Sequence, residues 1–256
     1  MDLKVLVAVH KPYWMPTDDV YVPIQVGCKG KGSLGFTGDD TGENISAKNA
    51  NFCELTGLYW AWKNLRADYI GLCHYRRYFA HCGSAFRLTA KKNAILERLE
   101  YEKILSEVDC ILPMKRHYFI ETVRSQYEHA HYRGDLAMME QIISVRHPDY
   151  QEAFQRVMSR RSLHIFNMFV MKWELYDDYC RFLFDVLFEL EKKIDISHYN
   201  LYEARVFGFL SERLLDVWIE KNHIHYAEVP VVFLEKINWF EKGRKFLLRK
   251  FMKRQG

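Results

Sequence analysis

Arg76 and Arg77 stand just behind a short apolar run, Tyr69-Ile-Gly-Leu-Cys73, with only His74 and Tyr75 between. The run reads as a buried strand. In an open α/β sheet the carboxyl ends of the strands are where ligands bind. Two guanidiniums at such an end suit an anion, above all a phosphate gripped bidentately. The same arginines would serve equally on the surface or against structural carboxylates.

Other residues with chemical capacity are more scattered. His129 and His131 are two apart, a spacing found in metal sites on strands, yet no third ligand lies close in sequence. A ligand-binding or structural role suits the pair better than a metal. His164 and Asn167 differ by an odd number, so in a regular strand they face opposite ways, and only a bulge or bend presents both. Asp135, Glu203 and Glu212 are carboxylates within or beside helical patterns.

These side chains need a scaffold, and the periodicity supplies one. Residues 3–9 are nearly continuous in β-branched and apolar types and read as the first strand of a parallel sheet, releasing into His10-Lys11-Pro12. Further strands are expected over 20–26, 108–113, 163–171 and 229–234. Helices are expected over 51–64, 89–106, 136–145, 150–160, 176–193 and 202–221. A helix that precedes the strand at 69–73 has its amino end near that strand's carboxyl end, so Asn49, Asn51 and Glu54 fall near the arginines. Asn49 would do equally well as a helix cap. Residues 27–44, rich in Gly, Asp and Thr, form a long turn-forming loop, expected as a mobile flap beside the site. They lack the Lys-Ser/Thr that closes an ATPase phosphate loop.

Composition narrows the class. The 256 residues, 49% of them hydrophobic, suffice for one α/β domain, and a net charge of +4 is too mild for a nucleic-acid binder. None of the six cysteines forms a Cys-x-x-Cys pair, so reduced, buried thiols are expected. Trp60, Trp62, Tyr75 and Tyr78 cluster in sequence around the arginines, as rings for stacking a sugar or as ordinary core.

The motif Gly42-Glu-Asn-Ile-Ser-Ala-Lys-Asn-Ala-Asn-Phe-Cys-Glu-Leu-Thr-Gly-Leu-Tyr-Trp-Ala-Trp-Lys-Asn64, followed by Tyr69-Ile-Gly-Leu-Cys-His-Tyr-Arg-Arg-Tyr-Phe79, resembles a bacterial family first catalogued as a domain of unknown function in capsular and exopolysaccharide gene clusters. Its members are glycosyltransferases, some similar to inverting β-galactofuranosyltransferases. The resemblance runs from Val5-Leu-Val-Ala-Val-His-Lys-Pro12 to Gly208-Phe-Leu-Ser-Glu-Arg-Leu-Leu215. It implies an α/β, GT-A-like, Rossmann-type sheet flanked by helices, over residues 1–238. It also implies a UDP-sugar donor and a lipid-linked oligosaccharide acceptor of a capsule, exopolysaccharide or O-antigen glycan.

On that resemblance His10, Lys11, Asn51, Glu54, His74, Tyr75, Arg76 and Arg77 are expected at the donor, and His129, His131, His164 and Asn167 at the acceptor. Lys11 faces a phosphate or simply solvent. Most GT-A enzymes hold a divalent metal (Mn or Mg) with Asp-x-Asp after the central strand. Here His74-Tyr75-Arg76 takes that place, which leaves metal dependence open and the arginines to neutralise the leaving group. Glu212 is the first choice of base, with Glu203 and Asp135 as alternatives. Equally, Glu212 pairs with Arg205 or Arg213 in a structural ion pair. Residues 239–256 can form a basic amphipathic helix suited to an anionic membrane surface or to docking on the protein itself. With no signal peptide and no spanning segment, the expected address is cytoplasmic, peripheral on the inner face of the membrane. The competing reading is a non-catalytic carbohydrate- or partner-binding module of the same pathway.

Overall fold

The first strand, β1 (Leu3–Val9), is buried along nearly its whole length. Its side chains alternate between two apolar clusters: Leu6 and Ala8 join one, while Val5, Val7 and Val9 join the other. A strand covered on both faces is what a continuous apolar run demands. The computed structural model describes residues 1–81 and 88–235. The expected tail helix over 239–256, the domain boundary before it and Cys82 lie outside the described residues.

After β1 come β2 (Tyr21–Gln25), β3 (Thr37–Gly38), α1 (Asn49–Phe52), α2 (Leu55–Asn64), β4 (Tyr69–His74) and β5 (Arg77–Phe79). The middle of the chain supplies α3 (Leu88–Asn93), α4 (Arg98–Leu105), β6 (Cys110–Pro113), β7 (Arg116–His117), α5 (Val123–Ala130), α6 (Arg133–Arg146) and α7 (Gln151–Ser159). Then follow β8 (Ser162–Leu163), β9 (Phe169–Lys172), α8 (Trp173–Lys193), α9 (Val206–Lys221), β10 (Tyr226–Val229) and β11 (Val231–Phe233).

The main sheet runs β10-β6-β9-β4-β1-β2-β3, with β5 and β11 extending it beyond β4. β1 is parallel to β2 and β4, and β6 to β10. β9 is antiparallel to both β4 and β6, which makes the sheet mixed. Because Ala8 pairs with His74, the carboxyl ends of β1 and β4 open side by side. Gly71 in β4 is required by close approach: a Cβ there would sit 2.7 Å from Val170 Cγ2 and 3.0 Å from the Phe169 carbonyl oxygen.

Four expected elements are divided, each for a local reason. The helix expected over 51–64 breaks at Cys53, which takes φ +53° while the Asn49 amide captures its carbonyl at 2.7 Å. The helix over 89–106 yields between α3 and α4, where Ile95 bridges Ala80 and Glu97 with Glu100 forms a capping box for α4. The strand over 163–171 is interrupted at Phe166 (φ +82°) and Asn167 (φ +54°). The last strand divides at Pro230, which has no N–H for the ladder, so β10 pairs with β6 and β11 turns to β5.

The expected flap over 27–44 is tethered: the buried Asp39 carboxylate accepts from the amides of Gly27 and Cys28 at 2.8 and 3.0 Å. The described cysteines are free thiols. No described helix is long and apolar enough to cross a membrane.

Candidate active site

β4 ends at His74, and Tyr75-Arg76 is the two-residue turn that sends the chain back as β5, with His74 paired to Arg77. This turn, the end of β1, the α1–α2 junction, the bend at Phe166 and the first turns of α9 enclose a cleft of about 500 Å³. Its lining includes His10, Asn49, Cys53, Glu54, His74, Tyr75, Arg76, Arg77, Phe166, Tyr202, Arg205, Phe209 and Glu212.

The two arginines differ. Arg76 donates to Glu235 at 2.9 Å and shares that carboxylate with Lys11 at 3.4 Å. Burial favours the neutral form of Glu235, but the hydrogen bonds and charges of Arg76 and Lys11 outweigh it and hold its pKa low. Arg77 is more enclosed. Its guanidinium lies 4.6 Å from the Phe166 ring centroid and 5.7 Å from that of Phe233. Its Nε is buried without a hydrogen-bond partner, and it forms no ion pair among the described residues. Burial, followed by the charge of Arg76, lowers its pKa, while Glu54 and Glu212 pull the other way. A buried guanidinium left short of partners is costly and ready for an anion.

Two carboxylates share the lining. Glu212 on α9 accepts from the Phe166 amide at 2.8 Å through Oε1 and meets Arg213 at 3.2 Å through Oε2. Of the two arginines expected as structural partners, Arg213 is the one engaged; Arg205 instead donates to Cys53 Sγ at 3.2 Å. Burial raises the Glu212 pKa, with Glu54 adding to it, against the pull of Arg213, the Phe166 amide and Arg77. Glu54 accepts from the Asn167 amide at 2.7 Å.

The Phe166 peptide is held from both sides, since His74 Nε2–H donates to its carbonyl at 2.7 Å while its N–H goes to Glu212. That bond selects the Nε2–H tautomer, and burial, together with Arg77 and Arg76, keeps the imidazole pKa low despite Glu54. Phe166 and Asn167 are both left-handed, a strained arrangement for non-glycine residues. Asn167 stabilises it from within the core, donating to Glu54 and the Gly208 carbonyl and accepting from Ser211.

Lys11, beside the cleft, is committed to Glu235. Asn51 ties α1 to the Ala204 carbonyl at 2.8 Å, so Asn49 rather than Asn51 reaches the lining. The acceptor residues expected from sequence do not converge. His129 is exposed and bonded to Glu121 at 2.7 Å. His131 lies behind Phe209, stacked at 4.3 Å and bonded to Glu203 at 2.8 Å. His164 is buried between Asp216 and Glu228. Asp135, buried and bonded to Tyr199 at 2.7 Å, is outside the cleft lining, as is Glu203.

Of the four aromatics clustered in sequence, Tyr75 alone lines the cleft. Trp62 stacks on Phe184, Trp60 bonds Thr41 and Tyr78 is core. Sequence reasoning missed Arg205, Phe166, Tyr202 and Phe209 as lining residues. The only available signal was the Gly208–Leu215 motif, which placed the start of α9 at the site.

Burial raises the Cys53 thiol to about 11, so it is no thiolate nucleophile. Among the described residues no group of three or more His, Cys, Asp and Glu converges as metal ligands would. Glu54 and Glu212 each accept a protein N–H group through Oε1. The cleft lining thus holds three guanidiniums, Arg76, Arg77 and Arg205, and two carboxylates, Glu54 and Glu212, the latter with a raised pKa: groups chemically suited to an anion and to accepting a proton.

A family model described as "Domain of unknown function (DUF4422)" matches residues 4–223. Among solved structures, the chain is similar to the apo structure of the WbbM bifunctional glycosyltransferase, with TM-score 0.86 and 29% identity over 92% of this chain. The match covers 46% of that protein, so the chain spans about half its length. No curated protein matches. The helix-flanked, GT-A-like sheet expected from sequence is the fold found.

Proposed function

The chain belongs to the DUF4422 family, and from that premise we propose that it is a glycosyltransferase of bacterial surface-polysaccharide synthesis. It moves a hexose, galactofuranose being one candidate, from a UDP-sugar to a growing lipid-linked glycan with inversion. The observation that carries this is Arg77: a cation lining the cleft, its buried Nε unpartnered among the described residues, close enough to the Glu212 carboxylate of raised pKa for their charges to act on each other. The solved glycosyltransferase of the same fold supports it.

In this reading Arg77, Arg76 and Arg205 take the diphosphate. Fixed guanidiniums stabilise the charge that grows on the leaving phosphate oxygen without reorganising. Glu212 accepts the proton of the acceptor hydroxyl as that oxygen bonds to the anomeric carbon. The bond from that carbon to the phosphate oxygen breaks with its electron pair, and UDP departs. The raised pKa makes Glu212 a stronger base than an ordinary glutamate. His74, neutral, and Asn167 position the Phe166 peptide and Glu54 rather than transfer protons. Tyr75, Tyr202 and Phe209 offer ring faces to sugar C–H groups.

The test is UDP release from UDP-hexoses with a lipid-linked acceptor. Turnover that disappears in Glu212→Gln while UDP binding persists is the expected outcome. UDP binding without turnover for any donor and acceptor pair would instead favour the non-catalytic module.

A further inference from the structure

A second feature lies beside the cleft, on the segment that joins β6 to α5. Phe119 and Ile120 are 80% and 71% exposed at its tip, and Met114 at its foot is 57% exposed. Single apolar side chains on a surface are ordinary; this pair is displayed at a cost. Phe119 takes φ +57°, a conformation that bulky residues rarely adopt. The Ile120 N–H closes a three-residue turn on the Tyr118 carbonyl at 2.7 Å, and turns of that kind are strained.

The turn is built rather than loose. β7 pairs with β8 through Arg116 with Leu163 and His117 with Ser162. The Tyr118 N–H bonds the Arg161 carbonyl at 2.8 Å, and the Arg161 guanidinium donates to the Phe119 carbonyl at 3.2 Å. Tyr118 is turned inward against the core, close enough to Arg213 and Glu212 to feel their charges. The strain therefore sorts the side chains, Tyr118 in and the two apolar ones out.

The surroundings are cationic. Arg116 and Arg161 are exposed, and neither is in an ion pair among the described residues. Of the nearby acids, Glu228 is engaged by Lys115 at 3.1 Å and Glu121 by His129 at 2.7 Å. A convex tip of two side chains cannot cover the roughly 800 Å² per partner of a standard protein interface. An apolar tip with a basic collar does match the headgroup layer of an anionic bilayer.

We propose that this turn docks the protein on membranes, seating Phe119 and Ile120 among the headgroups of an anionic bilayer with Arg116 and Arg161 on lipid phosphates. Docking brings the protein to the surface that carries a lipid-linked acceptor, a consequence that rests on the transferase reading; the docking itself does not.

The experiment is co-sedimentation of the full chain with phosphatidylglycerol–phosphatidylcholine vesicles and with pure phosphatidylcholine, without nucleotide. Binding is expected to the anionic vesicles only, and to weaken with salt. Phe119→Gly with Ile120→Ser relieves the positive φ, so folding is retained, and it should lower partitioning about tenfold or more. Arg116→Gln with Arg161→Gln should lower it about tenfold as well. Both variants should melt no lower than about wild type and bind UDP as it does, which separates loss of docking from loss of the transferase site. Three results overturn the proposal: no binding of wild type to anionic vesicles, which would leave the tip to a protein partner; equal binding to neutral vesicles; or variants that bind as wild type does.

Discussion

Replacing Arg77 with methionine should separate stability from binding. In the unliganded protein the guanidinium is enclosed between Phe166 and Phe233, and its Nε has no hydrogen-bond partner. An unsatisfied buried polar group costs about 1–3 kcal/mol, while the cation–π contacts return about 0.5–2 kcal/mol. Methionine, similar in length and apolar, removes both, so the unliganded variant should lie within about 1 kcal/mol of wild type. For a domain of this size that is about 2–4 °C in Tm.

Ligand binding should respond far more. Losing charge-assisted hydrogen bonds to a diphosphate costs about 1.5–3 kcal/mol, or roughly 10- to 150-fold in Kd. At a UDP concentration of 100 times the wild-type Kd, wild type gains about 2.7 kcal/mol, a rise of about 5–10 °C. A variant weakened about 100-fold gains about 0.4 kcal/mol at the same concentration, a rise of about 1–2 °C. Thermal melting with a UDP titration, checked by calorimetry, reads both quantities. Arg76→Ala is the comparator and should cost less, because Arg76 is already bound to Glu235 and lies nearer solvent. The reasoning is refuted if Arg77→Met melts well below wild type while its UDP affinity is unchanged, for Arg77 would then be a structural residue.

Glu212→Gln should lower kcat about 10²- to 10⁴-fold with UDP affinity nearly unchanged. Because burial raises the pKa of this carboxylate and the base must be ionised, the acid limb of kcat/KM should lie above the usual glutamate range and vanish in the variant, as a pH–rate profile would show. Asn167→Ala removes the amide that donates to Glu54 and accepts from Ser211, leaving Ser211 only the Gly208 carbonyl, and puts alanine at φ +54°. A loss of about 2–4 kcal/mol in urea unfolding is expected, and wild-type stability would show that the bend is not held by this side chain. Gly71→Ala drives a methyl to within 2.7 Å of Val170 and 3.0 Å of backbone. It should cost about 1–3 kcal/mol by the same measurement.

Much of the scaffold was legible in the sequence because its signals are local. Residues 3–9 and 69–73 are apolar on both faces, and that pattern alone marks strands covered on two sides. The family motifs singled out His74-Tyr75-Arg76-Arg77 and the Gly208–Leu215 segment, and residues of both line one cleft. The breaks at Cys53, Phe166 and Asn167 were not legible, since each is a positive-φ residue fixed by side-chain bonds, to the neighbouring Asn49 for Cys53 and to residues remote in the chain for the other two. The pair at His164 and Asn167 shows the limit well. A bend was required to present both, and the bend exists, yet it turns Asn167 toward Glu54 and leaves His164 buried against Asp216.

What the sequence determined by itself is the order of strands and helices and the placing of paired guanidiniums at the end of β4. Only the tertiary structure decided which arginine is available. Glu235, 159 residues from Arg76 in the chain, occupies that guanidinium, while no described carboxylate pairs with Arg77. It also decided that Glu212 faces the cleft, through a bond to a peptide 46 residues away. Periodicity reports which face of an element is apolar. Which charge ends beside which depends on contacts between segments remote in sequence, and those form only when the sheet and α9 have packed.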